Sequence, residues 1–151
     1  MKRVEFRRHS LKQGPGDSDL SPEGVELAQE IGRTQLQGQN YTHLYISNLR
    51  RTKETLEAFA IGAQDFPYVS PALFPPHMEV SQSEFALELW RGACHEAEIE
   101  GTDMVQAALE RAPEHATQIA QEAASSFQTW LTTLPEGAHA LVISHSPFIE
   151  L

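Results

Sequence analysis

Ala140-Leu141-Val142-Ile143-Ser144-His145-Ser146 begins as a compact apolar strand and closes on a histidine, and the reading of the fold starts there. Pro135-Glu136-Gly137 turns the chain into it. At the other end of the chain, Val4-Glu5-Phe6-Arg7-Arg8 reads as a short first strand that closes on Arg8-His9-Ser10. Its alternation of apolar and charged residues is unusual for a strand buried on both faces. A loop rich in Gly, Pro and Asp follows, and Ser21-Pro22-Glu23 then announces a helix, with serine as cap and proline in the first turn. Val25, Ala28 and Ile31 give that helix an apolar face.

His43-Leu44-Tyr45-Ile46-Ser47 reads as a second strand, and Leu49 to Phe59 as the helix after it, with Leu49, Leu56 and Phe59 toward the packed side. Pro67-Tyr68-Val69 is expected to add a strand, which Pro71, Pro75 and Pro76 then break. Helical patterning resumes around Glu84–Trp90 and again from Thr102, where Pro113 separates Met104–Ala112 from a longer helix reaching about Leu134. Trp90 and Trp130 sit in apolar helical patterns and are expected in the core. Strands alternating with helices indicate an α/β fold, a three-layer sandwich with a mainly parallel central sheet flanked by helices. Open parallel sheets bind ligands beyond the carboxyl ends of their strands, where both histidines fall.

The 151 residues are the size of one domain and can bury a core without disulfides. Cys94 is the only cysteine, which points to a reducing compartment. The first residues are too charged for a signal peptide and no run approaches membrane-spanning length, so the expected location is cytoplasmic, with no membrane partner. The net charge of −10 is unevenly divided. Residues 1–53 carry nine Lys/Arg against six Asp/Glu, a balance of +3, while residues 54–151 carry two against fifteen, a balance of −13. A local positive pocket in an acidic body suits a small phosphorylated group and disfavours nucleic acid, which needs an extended basic face.

Two histidines at strand ends, one of them following an arginine, suggest phosphoryl transfer. A neutral imidazole can attack phosphorus while guanidinium groups neutralise the phosphate oxygens, without metal or cofactor. His95-Glu96-Ala97-Glu98 has no recognised metal-ligand spacing and reads as a solvated helix face. Arg7 and Arg50 are expected to be merely solvated.

Arg8-His9-Ser10, the run Ser47-Asn48-Leu49-Arg50-Arg51-Thr52-Lys53-Glu54-Thr55, and Ser144-His145-Ser146 together resemble the three motifs of the histidine phosphatase superfamily, in the right order and across residues 4 to 149. The resemblance implies His9 as the nucleophile of a phosphohistidine intermediate, Arg8 and Arg51 on the phosphate, and His145 as a second phosphate-facing histidine. Serine replaces the family's usual glycine at Ser10 and Ser146, adding two side chains beside the expected phosphate site. The family's common acidic residue after the third strand has no match in Leu73-Phe74-Pro75-Pro76. Glu79 and His77 are the nearest candidates for a proton donor, with Asp17 and Asp19 as rivals. An alkoxide leaving group needs a proton, whereas imidazole, with a pKa of ~6.5, leaves readily. The expected substrate is therefore a phosphoramidate, placing the chain nearest the small phosphohistidine-phosphatase branch. The alternatives are a small-metabolite phosphomonoesterase and a non-catalytic phosphate-binding module. The expected partner is a phosphorylated small molecule or a phosphohistidine protein. Residues 1–151 read as a single domain truncated at its carboxyl end, since Leu151 leaves barely one turn of the helix that should follow the last strand.

Overall fold

In a computed structural model, which describes residues 1–15, 17–66, 70–75 and 84–145, the strand that opened the sequence reading is the most deeply buried element. This strand, β4 (His139–Ser144), has no exposed surface from Ala140 to Ser144. It pairs on one side with β1 (Arg3–Arg8) and on the other with β2 (His43–Ile46), which in turn pairs with the short β3 (Ala72–Leu73). All three pairings are parallel, and the order is β1-β4-β2-β3. A central parallel strand is covered on both faces, which is why it is apolar without alternation. The parallel-sheet α/β class expected from sequence is the one observed.

β1 is an edge strand, and this accounts for its charged residues. Glu5 and Arg7 are side by side, with Arg7 Nε donating to Glu5 Oε1 at 2.6 Å and an Arg7 terminal nitrogen donating to Gln35 at 2.7 Å. Tyr41 completes the group by donating its hydroxyl to Glu5 Oε2 at 2.6 Å. Burial alone would raise the Glu5 pKa, but the Tyr41 and Arg7 hydrogen bonds outweigh it and hold the carboxyl below its ordinary value. Arg7 is thus a paired, partly buried residue and not the solvated one the sequence suggested. The third strand falls at 72–73, between Pro71 and Pro75; the stretch expected to form it, 67–69, lies outside the described residues.

Parallel neighbours require crossovers, and helices supply them. In α1 (Pro22–Ile31) the Ser21 hydroxyl accepts from Gly24 N–H at 3.0 Å, as its cap position requires. A single wide helical turn at Gly32–Leu36 extends this helix. The second crossover helix, α2 (Arg50–Gly62), begins immediately beyond the end of β2. Ala28, Leu36, Leu44, Leu56, Phe59 and Ile143 form the core between these helices and the sheet, with Val25 and Ile31 packed against it.

The chain divides into two compact units, the first being Met1–Phe74 with Leu134–His145. The second, within Pro75–Thr133, is helical: α3 (Glu84–Glu100), α4 (Met104–Arg111) and α5 (Pro113–Thr133). Its core unites Leu89, Trp90, Ala93, Ala107, Ala108 and Ala116. Asp103 caps α4 by accepting from the Val105 and Gln106 N–H groups, Arg111 pairs with Glu96, and Pro113 opens α5. Among the described residues no helix is long and apolar enough to cross a membrane.

Two glycines set the approach of α1 and α2. A Cβ at Gly62 would fall inside the van der Waals envelope of the Gln29 carbonyl, and one at Gly32 would meet the Phe59 carbonyl. Gly62→Ala is therefore expected to lower unfolding stability by about 1–3 kcal/mol through overpacking. Gly14→Ala, where nothing lies within 4 Å, should stay within about 0.5 kcal/mol of wild type. Urea titrations of the two variants check this.

Candidate active site

The parallel register brings three strand ends level. Arg8 is the partner of Ser144, and Ile46 is the partner of both Ile143 and Leu73. One residue further on, His9 N–H donates to the Ser144 carbonyl at 3.0 Å and Ser47 N–H donates to the Ile143 carbonyl at 3.1 Å. His9, Ser47 and His145 thereby leave the sheet along one edge. Ser10 then anchors the turn: its N–H donates to Thr55 Oγ1 at 3.0 Å and its hydroxyl to the Gly24 carbonyl at 2.7 Å. The one hydroxyl proton of Ser10 is thus engaged by α1. The Ser10 hydroxyl ties the turn to α1, and its backbone N–H ties it to α2.

His9 Nδ1 lies 2.7 Å from the Ser10 carbonyl. A carbonyl can only accept, so Nδ1 carries the hydrogen and Nε2 of the neutral ring is left with an available lone pair. Burial lowers the pKa of His9, and the positive charges of Arg51, Arg8 and Lys12 reinforce the shift against its hydrogen bond to Ser10. His145, at the end of β4, has its Nδ1 3.2 Å from Ser47 Oγ. Burial, followed by the charges of Arg51 and its neighbours, pushes His145 down to about 4. Both imidazoles are therefore neutral at neutral pH.

Arg51 stands in the first turn of α2 and is only 9% exposed. One of its terminal nitrogens donates to Asp17 Oδ1 at 2.9 Å. Burial lowers its pKa and Asp17 opposes that effect. The arrangement gathers Arg8, His9, Arg51 and His145, with Asp17 from the loop after β1 beside Arg51. Arg50 pairs instead with Asp19 and Glu54. His77, Glu79 and Ser146 lie outside the described residues. Beside His9 a cavity of about 520 Å³ is lined by Ser10, Leu11, Lys12, Leu27, Ile31 and Phe59.

Sequence reasoning missed Ser47 and Thr55 as parts of the site. Both stand in the 47–55 motif, but their roles depend on hydrogen bonds to residues 98 and 45 positions away. Among the described residues no three His, Cys, Asp or Glu side chains gather as a metal-ligand set. A neutral imidazole with an available lone pair, set among two guanidinium groups and a second imidazole, is suited to accept a phosphoryl group and to neutralise its oxygens.

A family model of the histidine phosphatase superfamily (branch 1) matches residues 3–151. No curated protein matches by sequence. Among solved structures the chain is similar to a phosphoglycerate mutase from Bacillus anthracis, at 17% identity and a TM-score of 0.60, covering 97% of this chain and 75% of that one. It is also similar to a protein from Escherichia coli K-12 provisionally assigned as an alpha-ribazole-5'-P phosphatase, at 18% identity and a TM-score of 0.64, covering 99% of this chain and 76% of the other. At such identities the likeness is one of fold.

The depressed histidine pKa values set a stability profile. Folded His145 titrates near 4 and His9 below its ordinary value, whereas the unfolded chain binds these protons near ~6.5. The unfolded state thus holds more protons below ~6.5, so stability is complete above that pH and declines as pH falls toward 4. Each histidine contributes a slope of up to about 1.4 kcal/mol per pH unit. In His145→Gln the decline over this window should become shallower, as measured by urea unfolding at stepped pH.

Proposed function

This chain belongs to branch 1 of the histidine phosphatase superfamily, and from that premise we propose that it is a phosphatase working through a phosphohistidine intermediate on His9 without a metal ion. The hydrogen bond from His9 Nδ1–H to the Ser10 carbonyl carries this reading, because it fixes the tautomer whose Nε2 lone pair is available for attack. In the first step Nε2 bonds to phosphorus as the bond to the leaving group breaks and its electron pair departs with that group. Arg8 and Arg51 neutralise the phosphoryl oxygens, and the burial of Arg51 strengthens its attraction to them. Water then attacks phosphorus, the P–N bond breaks, and inorganic phosphate and neutral His9 are restored.

The substrate we assign is a phosphoramidate, such as the phosphohistidine of a protein in the cytoplasm. Imidazole leaves phosphorus without a strong acid, and among the described residues the carboxylate beside the site, Asp17, is engaged by Arg51. A second reading, a small-metabolite phosphomonoesterase, is favoured by that same carboxylate. Asp17 is half exposed beside the guanidinium that would hold the phosphate.

Hydrolysis of an aryl phosphate is expected to persist in excess chelator and to be inhibited by vanadate. His9→Ala should abolish it, and Arg51→Ala should lower kcat/KM by roughly 10²–10³. Phosphoramidate should be cleaved much faster than an alkyl phosphate, with Asp17→Asn leaving the phosphoramidate rate nearly intact. A preference for the alkyl phosphate that collapses in Asp17→Asn would select the phosphomonoesterase reading. Activity that requires an added divalent ion, or survives in His9→Ala, would overturn the mechanism.

A further inference from the structure

Ser47, at the carboxyl end of β2, is 1% exposed and its hydroxyl meets three groups. His145 Nδ1 and Thr52 Oγ1 each lie 3.2 Å away, and the Leu49 N–H approaches at 3.4 Å. Thr52 is itself fully buried, and its hydroxyl lies 2.7 Å from the Leu49 carbonyl and 3.1 Å from the Ser47 carbonyl. A carbonyl therefore takes the Thr52 proton, leaving the oxygen to accept. The single Ser47 proton faces two acceptors at equal distance.

The choice between them has a chemical consequence at His145. A neutral imidazole carries one N–H. When the Ser47 hydroxyl turns to Thr52, Nδ1 of His145 must hold the hydrogen and donate to Ser47, and Nε2 presents only a lone pair. When the hydroxyl turns to His145, Nδ1 accepts and Nε2 holds the hydrogen. A phosphate facing His145 is satisfied only by the second state, because a lone pair repels its oxygens.

We propose that Ser47 is the positioning residue that sets the tautomer of His145, turning its hydroxyl from Thr52 to Nδ1 so that Nε2 offers an N–H to the phosphoryl group. The inference rests on the phosphatase reading above, since His145 needs that N–H only where an anion faces it. Protons are conserved: the serine hydroxyl rotates, and the imidazole gives up the hydrogen on Nδ1 and takes one on Nε2. His145, held neutral by its burial, therefore acts as a donor without becoming a cation.

Imidazole ¹⁵N spectra of the full chain, free and saturated with inorganic vanadate, test the proposal. In the vanadate complex His145 should be protonated on Nε2, with Nδ1 as the lone-pair nitrogen. Thr52→Val removes the competing acceptor and should raise the Nε2–H share in the free protein, before any vanadate is added. Ser47→Ala should weaken vanadate binding by about tenfold, the loss expected for one buried hydrogen bond, with kcat falling by more than KM rises, and Ser47→Thr should restore both. A role confined to the start of α2 would instead lower the Tm of Ser47→Ala and leave vanadate affinity untouched, which would overturn the proposal. So would an Nδ1-protonated His145 in the vanadate complex, or a tautomer ratio unchanged by Thr52→Val. Failure of the wild-type protein either to bind vanadate or to turn over any phosphate would overturn the phosphatase reading, and the response of free His145 to Thr52→Val would still decide the role of Ser47.

Discussion

Two backbone hydrogen bonds beyond the last paired residues hold the site together: His9 N–H to the Ser144 carbonyl and Ser47 N–H to the Ile143 carbonyl. They extend the parallel ladder by one rung on each side of β4. A slip of one residue in either register would turn alternate side chains to the opposite face and move a histidine out of the cluster. The register is protected because β4 is fully buried from Ala140 to Ser144, so no slipped pairing preserves its packing. The chemistry at the strand ends thus depends on the apolar strand behind it.

The electrostatic design follows from the same burial. An arginine only 9% exposed at the start of α2 is strongly desolvated, and the Asp17 carboxylate compensates it. Neighbouring positive charge and burial act in one direction on both histidines and keep them neutral. A protonated His9 would be useless as a nucleophile, so the guanidinium groups that would receive the phosphate also keep the attacking nitrogen unprotonated. Ser10 contributes through its backbone and its brace to Gly24, which shows how a side chain larger than glycine is accommodated after His9.

Much of this was legible in the sequence because it rests on local signals. The apolar run 140–143, the Ser21-Pro22 cap and Pro113 located β4, α1 and the start of α5. His9, Arg51 and His145 were singled out by the resemblance of the motifs around them to those of the family. What escaped notice was non-local. The alternating charges of β1 make sense only once it is an edge strand with Tyr41 and Gln35 beside it, and neither partner is near in sequence. Asp17 stood only as a rival for the proton donor, and its pairing with Arg51, 34 positions away, is not written in the loop around it. Nothing in the motif around Ser10 discloses the Gly24 carbonyl that takes its proton, 14 positions away.

The central claim is that His9 Nε2 takes the phosphoryl group. Rapid quench of the enzyme during turnover, followed by mass spectrometry under alkaline conditions that preserve acid-labile phosphate, tests it directly. The account predicts one phosphate per active chain, carried on His9 and absent once substrate is exhausted. Phosphate on His145, or steady turnover with no phosphorylated enzyme at any quench time, would contradict it.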